Sequence, residues 1–140
     1  MARFLDPATV SSETSADGVK VVTLRGAFDL ANVAAVRHRL DDLLERGRND
    51  AVLDMSEVSL VDSTMLSTLV AAGNRAKRNG RQLVLVRPGD GPWRTFTVTG
   101  LDRAFAFEPD LASARARVAA ARTPVRPAPP PEDPPTDAAA

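Results

Sequence analysis

Between Val19 and Arg122 the chain alternates short runs of branched apolar residues with longer segments whose apolar residues recur every three to four positions. The runs "VKVVTLRG", "DAVLDMS" and "RQLVLVRP" have the length and continuous apolar character of strands covered on both faces. After the first comes "ANVAAVRHRLDDLLERG", with Val33, Val36, Leu40, Leu43 and Leu44 at helical spacing, Asn32 as N-cap and Gly47 as stop. After the second, a helix beginning beside Asp62 puts Leu66, Leu69, Val70 and Gly73 on one face and leaves Thr68, Arg75 and Arg78 off it. Lys77 and Arg78 complement its negative end, and Asn79-Gly80 terminate it. "GPWRTFTVTG" is a short helix with Pro92 in its first turn, "RAFAFE" a last strand and "DLASARARVAAAR" a last helix. Such alternation predicts an α/β fold: a mostly parallel sheet of four to five strands, with helices as crossovers packed against it. Ahead of it, "ATVSSET" joins "VKVVTLRG" through "SADG", and the Asp17-Gly18 pair predicts an antiparallel N-terminal edge hairpin.

With 140 residues, 44% of them hydrophobic, the chain supports one domain, placed at residues 1–121. Residues 122–140 hold seven of the eleven prolines and almost no large apolar side chain. They are expected to form a disordered or polyproline-like tail, read as solubilising in preference to a ligand for a proline-recognition module.

The same composition removes most function classes. Eighteen basic and eighteen acidic residues cancel, so no electrostatic footprint for nucleic acid is expected. Neither a signal-peptide core nor a membrane-length apolar run is present, and cytoplasmic residence without a membrane partner is expected. Without cysteine there is no disulfide, thiolate metal site or cysteine nucleophile. His38, the only histidine, lies between Arg37 and Arg39 on the polar face of the first helix. It leaves a serine nucleophile without a base and a metal without convergent ligands, so no catalytic residue, metal or cofactor is expected, and no enzyme. Phosphate-cradling glycine motifs are also missing, and "RPGDG" reads as a turn. Asp54 ends a strand where a response-regulator receiver carries its phosphoacceptor, but the acidic pair and the lysine which that fold requires have no counterpart.

What remains is "VDSTMLSTLV", residues 61–70. Asp62, Ser63 and Thr64 are all residues with which helices begin, because their side-chain oxygens accept unpaired first-turn N–H groups. If Asp62 is the N-cap, Val61 and Leu66 form a hydrophobic staple and Ser63 projects from the first turn. "GAFD" (26–29) and "VDST" (61–64) each follow a strand and precede a helix, which in a parallel sheet puts both on the face where functional loops gather.

Taken together, "VVTLRGAFDLANVAAVRHRL", "DAVLDMSEVSLVDSTMLSTLVAAGNRAKRNGRQLVLV" and "VTGLDRAFAF" resemble the anti-sigma factor antagonists, whose fold is the STAS domain, over roughly residues 8 to 120. The most specific piece, "AVLDMSEVSLVDSTML", is similar to the family's strand, short polar turn, apolar pair and Asp-Ser-Ser/Thr-Gly-Leu, and "RGAFD" to its Gly-x-x-Asp. The resemblance implies that Ser63 is phosphorylated by a cognate anti-sigma factor with serine kinase activity. It also implies that Asp29, Asp62, Ser63, Thr64, Met65 and Ser67 meet that partner. Unphosphorylated, such a protein captures the anti-sigma factor and frees the sigma factor; phosphorylation ends the capture and a metal-dependent serine phosphatase restores it. Met65 and Ser67 stand where family members often carry glycine, and Met65 either packs inward or reshapes the binding surface. The competing reading is a STAS adaptor or small-ligand sensor in which Ser63 is not phosphorylated.

Overall fold

A computed structural model describes residues 8–43 and 50–122. Five strands, β1 (Thr9–Thr14), β2 (Lys20–Phe28), β3 (Ala51–Val61), β4 (Leu83–Val86) and β5 (Ala106–Glu108), lie side by side in sequence order. β1 and β2 are antiparallel and every later neighbour is parallel. The helices are α1 (Val33–Asp41), α2 (Ser63–Arg78), α3 (Asp90–Val98) and α4 (Leu111–Arg122). This is the expected α/β architecture, with its antiparallel edge. Gly18, at φ 86°, closes the β1–β2 hairpin beside Asp17. Leu44, Gly47 and the proline-rich segment from Thr123 lie outside the described residues.

The strands alternate between two unequal layers. Val22, Leu24, Leu53, Met55 and Leu85 point to one face, where they meet Val33, Val36 and Leu40 of α1, Leu66 and Leu69 of α2, and Phe96 of α3. Val19, Val21, Val52, Val84 and Val86 point to the other, which among the described residues is covered by Ala114 and Val118 of α4. Small branched residues suit that side, because a single alanine-rich helix approaches the sheet closely. On the larger side the rings of Trp93, Phe96, Phe105 and Phe107 meet edge-on or tilted at 4.8 to 6.3 Å. Gly73 of α2 admits Phe105, since a Cβ there would stand 3.3 Å from the ring.

Three local expectations are revised. Thr68, expected off the packed face of α2, is buried, because α2 packs on α1 as well as on the sheet; its hydroxyl donates to the Thr64 carbonyl at 2.9 Å. Arg75 pairs with Asp41 across the same helix contact. Asn32 occupies the N-cap position of α1 without capping. Its side chain turns back, accepting from the Asp29 N–H at 3.0 Å and donating to the Ala27 carbonyl at 2.9 Å. Finally, the polar segment after Asp54 is not a turn. β3 runs unbroken to Val61 and absorbs two extra residues as register shifts against β2, at Thr23/Arg25 and Gly26/Ala27. Asp54 fixes the first shift by accepting from the Ser56 N–H at 3.0 Å and its hydroxyl at 2.8 Å.

α4 begins with a cap that depends on pH. Hydrogen bonds from the Ser113 N–H, at 2.7 Å, and from its side chain hold the Asp110 carboxyl below its ordinary value of 3.8. A carboxyl with a depressed folded-state pKa favours the fold fully above the ordinary value and loses that contribution as pH falls through the depressed one. Asp110→Asn is therefore expected to lower stability at neutral pH and to flatten the acid limb of a urea-unfolding series.

Candidate functional site

Phe28 and Val61 are paired at the carboxyl ends of β2 and β3, so the next residues, Asp29 and Asp62, leave the sheet side by side. β4 ends opposite Asp54, so β3 from Met55 to Val61 continues past it, paired with β2. The two-stranded extension carries both strand-to-helix junctions beyond the body of the sheet. "GAFD" and "VDST" therefore share one face, as their order in the chain predicts.

At the second junction the cap belongs to Asp62. In extended backbone, φ −103° and ψ −178°, its carboxylate accepts from the Met65 N–H at 3.0 Å, and its carbonyl accepts from the Leu66 N–H at 3.0 Å. Val61 and Leu66 are buried in the same cluster on either side, which completes the staple and fixes the angle at which α2 leaves β3. Asp62→Ala is expected to destabilise the domain by about 1 kcal/mol, and Asp62→Asn by less, in urea titrations.

Ser63 is the first helical residue and is exposed; among the described residues its hydroxyl makes no hydrogen bond. Thr64 is half-buried, and Ser67, one turn on, is exposed beside Ser63. Met65 is wholly buried, against the expectation that it meets a partner. The helix start anchored by Asp62 aims it between the sheet and α2, where it joins Leu53, Met55 and Leu69 in one cluster. Asp29 is half-buried, and its carboxylate accepts from the Ala31 N–H at 2.9 Å while its carbonyl accepts from the N–H groups of Asn32 and Val33. It therefore shapes the first junction as much as it presents charge there.

Two exposed residues that sequence patterns missed lie beside these junctions. Leu30, 76% exposed, follows Asp29, and Leu60, 50% exposed, precedes Asp62 by two positions. Exposed leucines in both junctions, among hydroxyls and carboxylates, are suited to a protein partner. Leu60 was hidden in an apolar run; the available signal was the shift in alternation in "EVSLVD", which marks the second extra residue of β3.

His38 is exposed on α1, and the described residues contain no cluster of three or more metal-ligating side chains. No described helix is long and apolar enough to cross a membrane.

The sequence matches the STAS domain family over residues 13–114. A solved anti-sigma factor antagonist from Mycobacterium paratuberculosis is similar at 27% identity and a TM-score of 0.73, over 81% of this chain and 96% of that one. The anti-sigma factor antagonist SpoIIAA in its unphosphorylated form shares the fold at 17% identity and a TM-score of 0.69, over 80% and 97%. The Bacillus cell fate determinant SpoIIAA in its phosphorylated form shares it at 17% identity and 0.63, over 79% and 99%.

Proposed function

The chain belongs to the STAS domain family, and on that premise we propose that it is an anti-sigma factor antagonist switched at Ser63. Unphosphorylated, it captures an anti-sigma factor with serine kinase activity and so releases a sigma factor for transcription in the bacterial cytoplasm. The kinase moves the γ-phosphoryl group of ATP to Ser63 Oγ, releasing ADP and the hydroxyl proton, and capture ends; a metal-dependent serine phosphatase reverses the modification. This chain supplies the acceptor hydroxyl and the surface, and its partners supply the catalysis. The solved protein from Mycobacterium paratuberculosis is named an anti-sigma factor antagonist, and SpoIIAA, whose fold this chain shares, has been solved in an unphosphorylated and in a phosphorylated form.

The observation that carries the reading is the division of labour at the head of α2. Asp62 does the capping, which leaves the exposed Ser63 hydroxyl uncommitted at the first helical position. A phosphoryl group there adds about −1.5 to −2 charges at pH 7. The helix N-terminus favours such charge by roughly 0.3–1 kcal/mol at an exposed position, so the domain tolerates it. Buried in a complex beside Asp62, the same charge costs about 2–5 kcal/mol. The modification therefore acts on the complex and spares the fold. The contact surface consists of Asp29, Asp62, Ser63, Thr64 and Ser67 with Leu30 and Leu60; Met65 supports it from beneath.

The test is phosphopeptide mapping after incubation with an anti-sigma serine kinase of the same genome and ATP. The expected product carries phosphate on Ser63. An unmodified chain that still binds the kinase would instead indicate a STAS adaptor, and modification elsewhere would overturn the assignment of the acceptor.

A further inference from the structure

At the opposite end of α2 an open groove of about 240 Å³ lies between that helix, the starts of β4 and β5, and α4. Its lining is partly apolar, with Gly73, Leu83 and Phe105, and its charged side chains are Lys77, Arg81 and Arg117. Among the described residues no carboxylate lines it. Arg117 is paired with Glu108 at 2.7 Å, whereas Lys77 and Arg81 have no carboxylate within ion-pair distance among the described residues. A smaller concavity shares Gly73, Lys77 and Phe105 with it and adds Val70 and Asn74 of α2.

We propose that this groove docks the chain's own segment 127–135, "PAPPPEDPP". Three observations select this occupant. First, α4 delivers the chain there: Arg117 lines the groove, the Val118 carbonyl accepts from Gln82 Nε2 at 3.3 Å, and α4 ends four residues later at Arg122. Second, the ten residues from Thr123 to Glu132 reach up to about 30 Å at roughly 3.1 Å per residue in polyproline geometry. That exceeds what doubling back over one helix end requires, and tethering makes the encounter intramolecular at an effective concentration of about millimolar. Third, the chemistry is complementary. Glu132 and Asp133 are adjacent carboxylates in a sequence framed by Pro129–Pro131 and Pro134–Pro135, and the groove offers Phe105 and two cations that have no ion pair among the described residues. Proline tracts pack on aromatic surfaces at little entropic cost, and the carboxylates meet Lys77 and Arg81. Gly73 is ten residues from Ser63, about 15 Å along α2 at 1.5 Å per residue, so docking leaves the phosphoacceptor open.

Because the chain lacks cysteine, Thr136→Cys places a single nitroxide label just beyond the docked segment. In the labelled full chain, the amide signals of Gly73, Lys77, Gln82 and Phe105 are expected to lose most of their intensity. Lys77→Glu/Arg81→Glu should restore them, and combining it with Glu132→Lys/Asp133→Lys should quench them again. High salt, with a screening length of about 3 Å at 1 M, should also restore them. Quenching insensitive to both charge reversals, or centred on Asp62–Ser67, would overturn the proposal. So would quenching between separately labelled molecules that rises with concentration, since that assigns the groove to a second copy.

Discussion

Ser63→Asp is expected to weaken capture of the anti-sigma factor by roughly 30-fold to a few thousand-fold, corresponding to about 2–5 kcal/mol at 1.4 kcal/mol per tenfold. Aspartate carries one negative charge where phosphoserine carries nearly two, so the substitution belongs at the lower end and the phosphorylated protein at the upper. Ser63→Ala is expected to bind as the unmodified protein does and to resist the kinase. Neither substitution should disturb the fold, because Ser63 is exposed and Asp62 holds the cap. Isothermal titration of both variants against the anti-sigma factor, with urea unfolding alongside, checks the pair. A folded Ser63→Asp protein that binds within a few-fold of wild type would remove the switch, and one that unfolds would show that Ser63 is structural.

Met65→Ala is expected to do the opposite: destabilise the domain by about 2–5 kcal/mol through lost burial and the cavity left behind, and leave the folded protein's affinity for its partner unchanged. That is a large share of the roughly 5–15 kcal/mol that holds a domain of this size together. Met65→Leu, of similar volume, should cost less than about 1.5 kcal/mol. Met65 has no exposed surface, so its removal acts on the core shared with Leu53, Met55 and Leu69. If Met65 instead reached the partner, alanine would spare stability and reduce binding. Denaturation and titration of one variant set therefore decide between the two roles two residues apart on the same helix.

The head of α2 also shows what local patterns carry. Asp62 as N-cap and Val61 with Leu66 as staple were legible because a helix start imposes fixed offsets of one to four residues. The Asp17-Gly18 hairpin was legible because few residues adopt its backbone easily. Asn32 misled for the same kind of reason: it sits at the capping offset, but the turn from Asp29 to Asn32 supplies α1's first N–H partners through the Asp29 carbonyl and frees Asn32 to bond backward. Exposure of Leu30 carried no such local mark, and that of Leu60 only the shift in alternation in "EVSLVD", because Leu60 lies where β3 has run past the end of β4.

By itself, the sequence determined the order of strands and helices, the antiparallel edge, the two junctions that share a face and the residue that caps α2. All follow from periodicity and backbone preference within about a turn of helix or a strand's length. Only the tertiary structure decided that Thr68 is buried by α1, that β3 absorbs two extra residues to carry Ser63 clear of the sheet, and that Met65 points into the core. A side chain's burial and a strand's register depend on neighbours distant in the chain, and residues 61 to 70 alone do not encode which element closes over them.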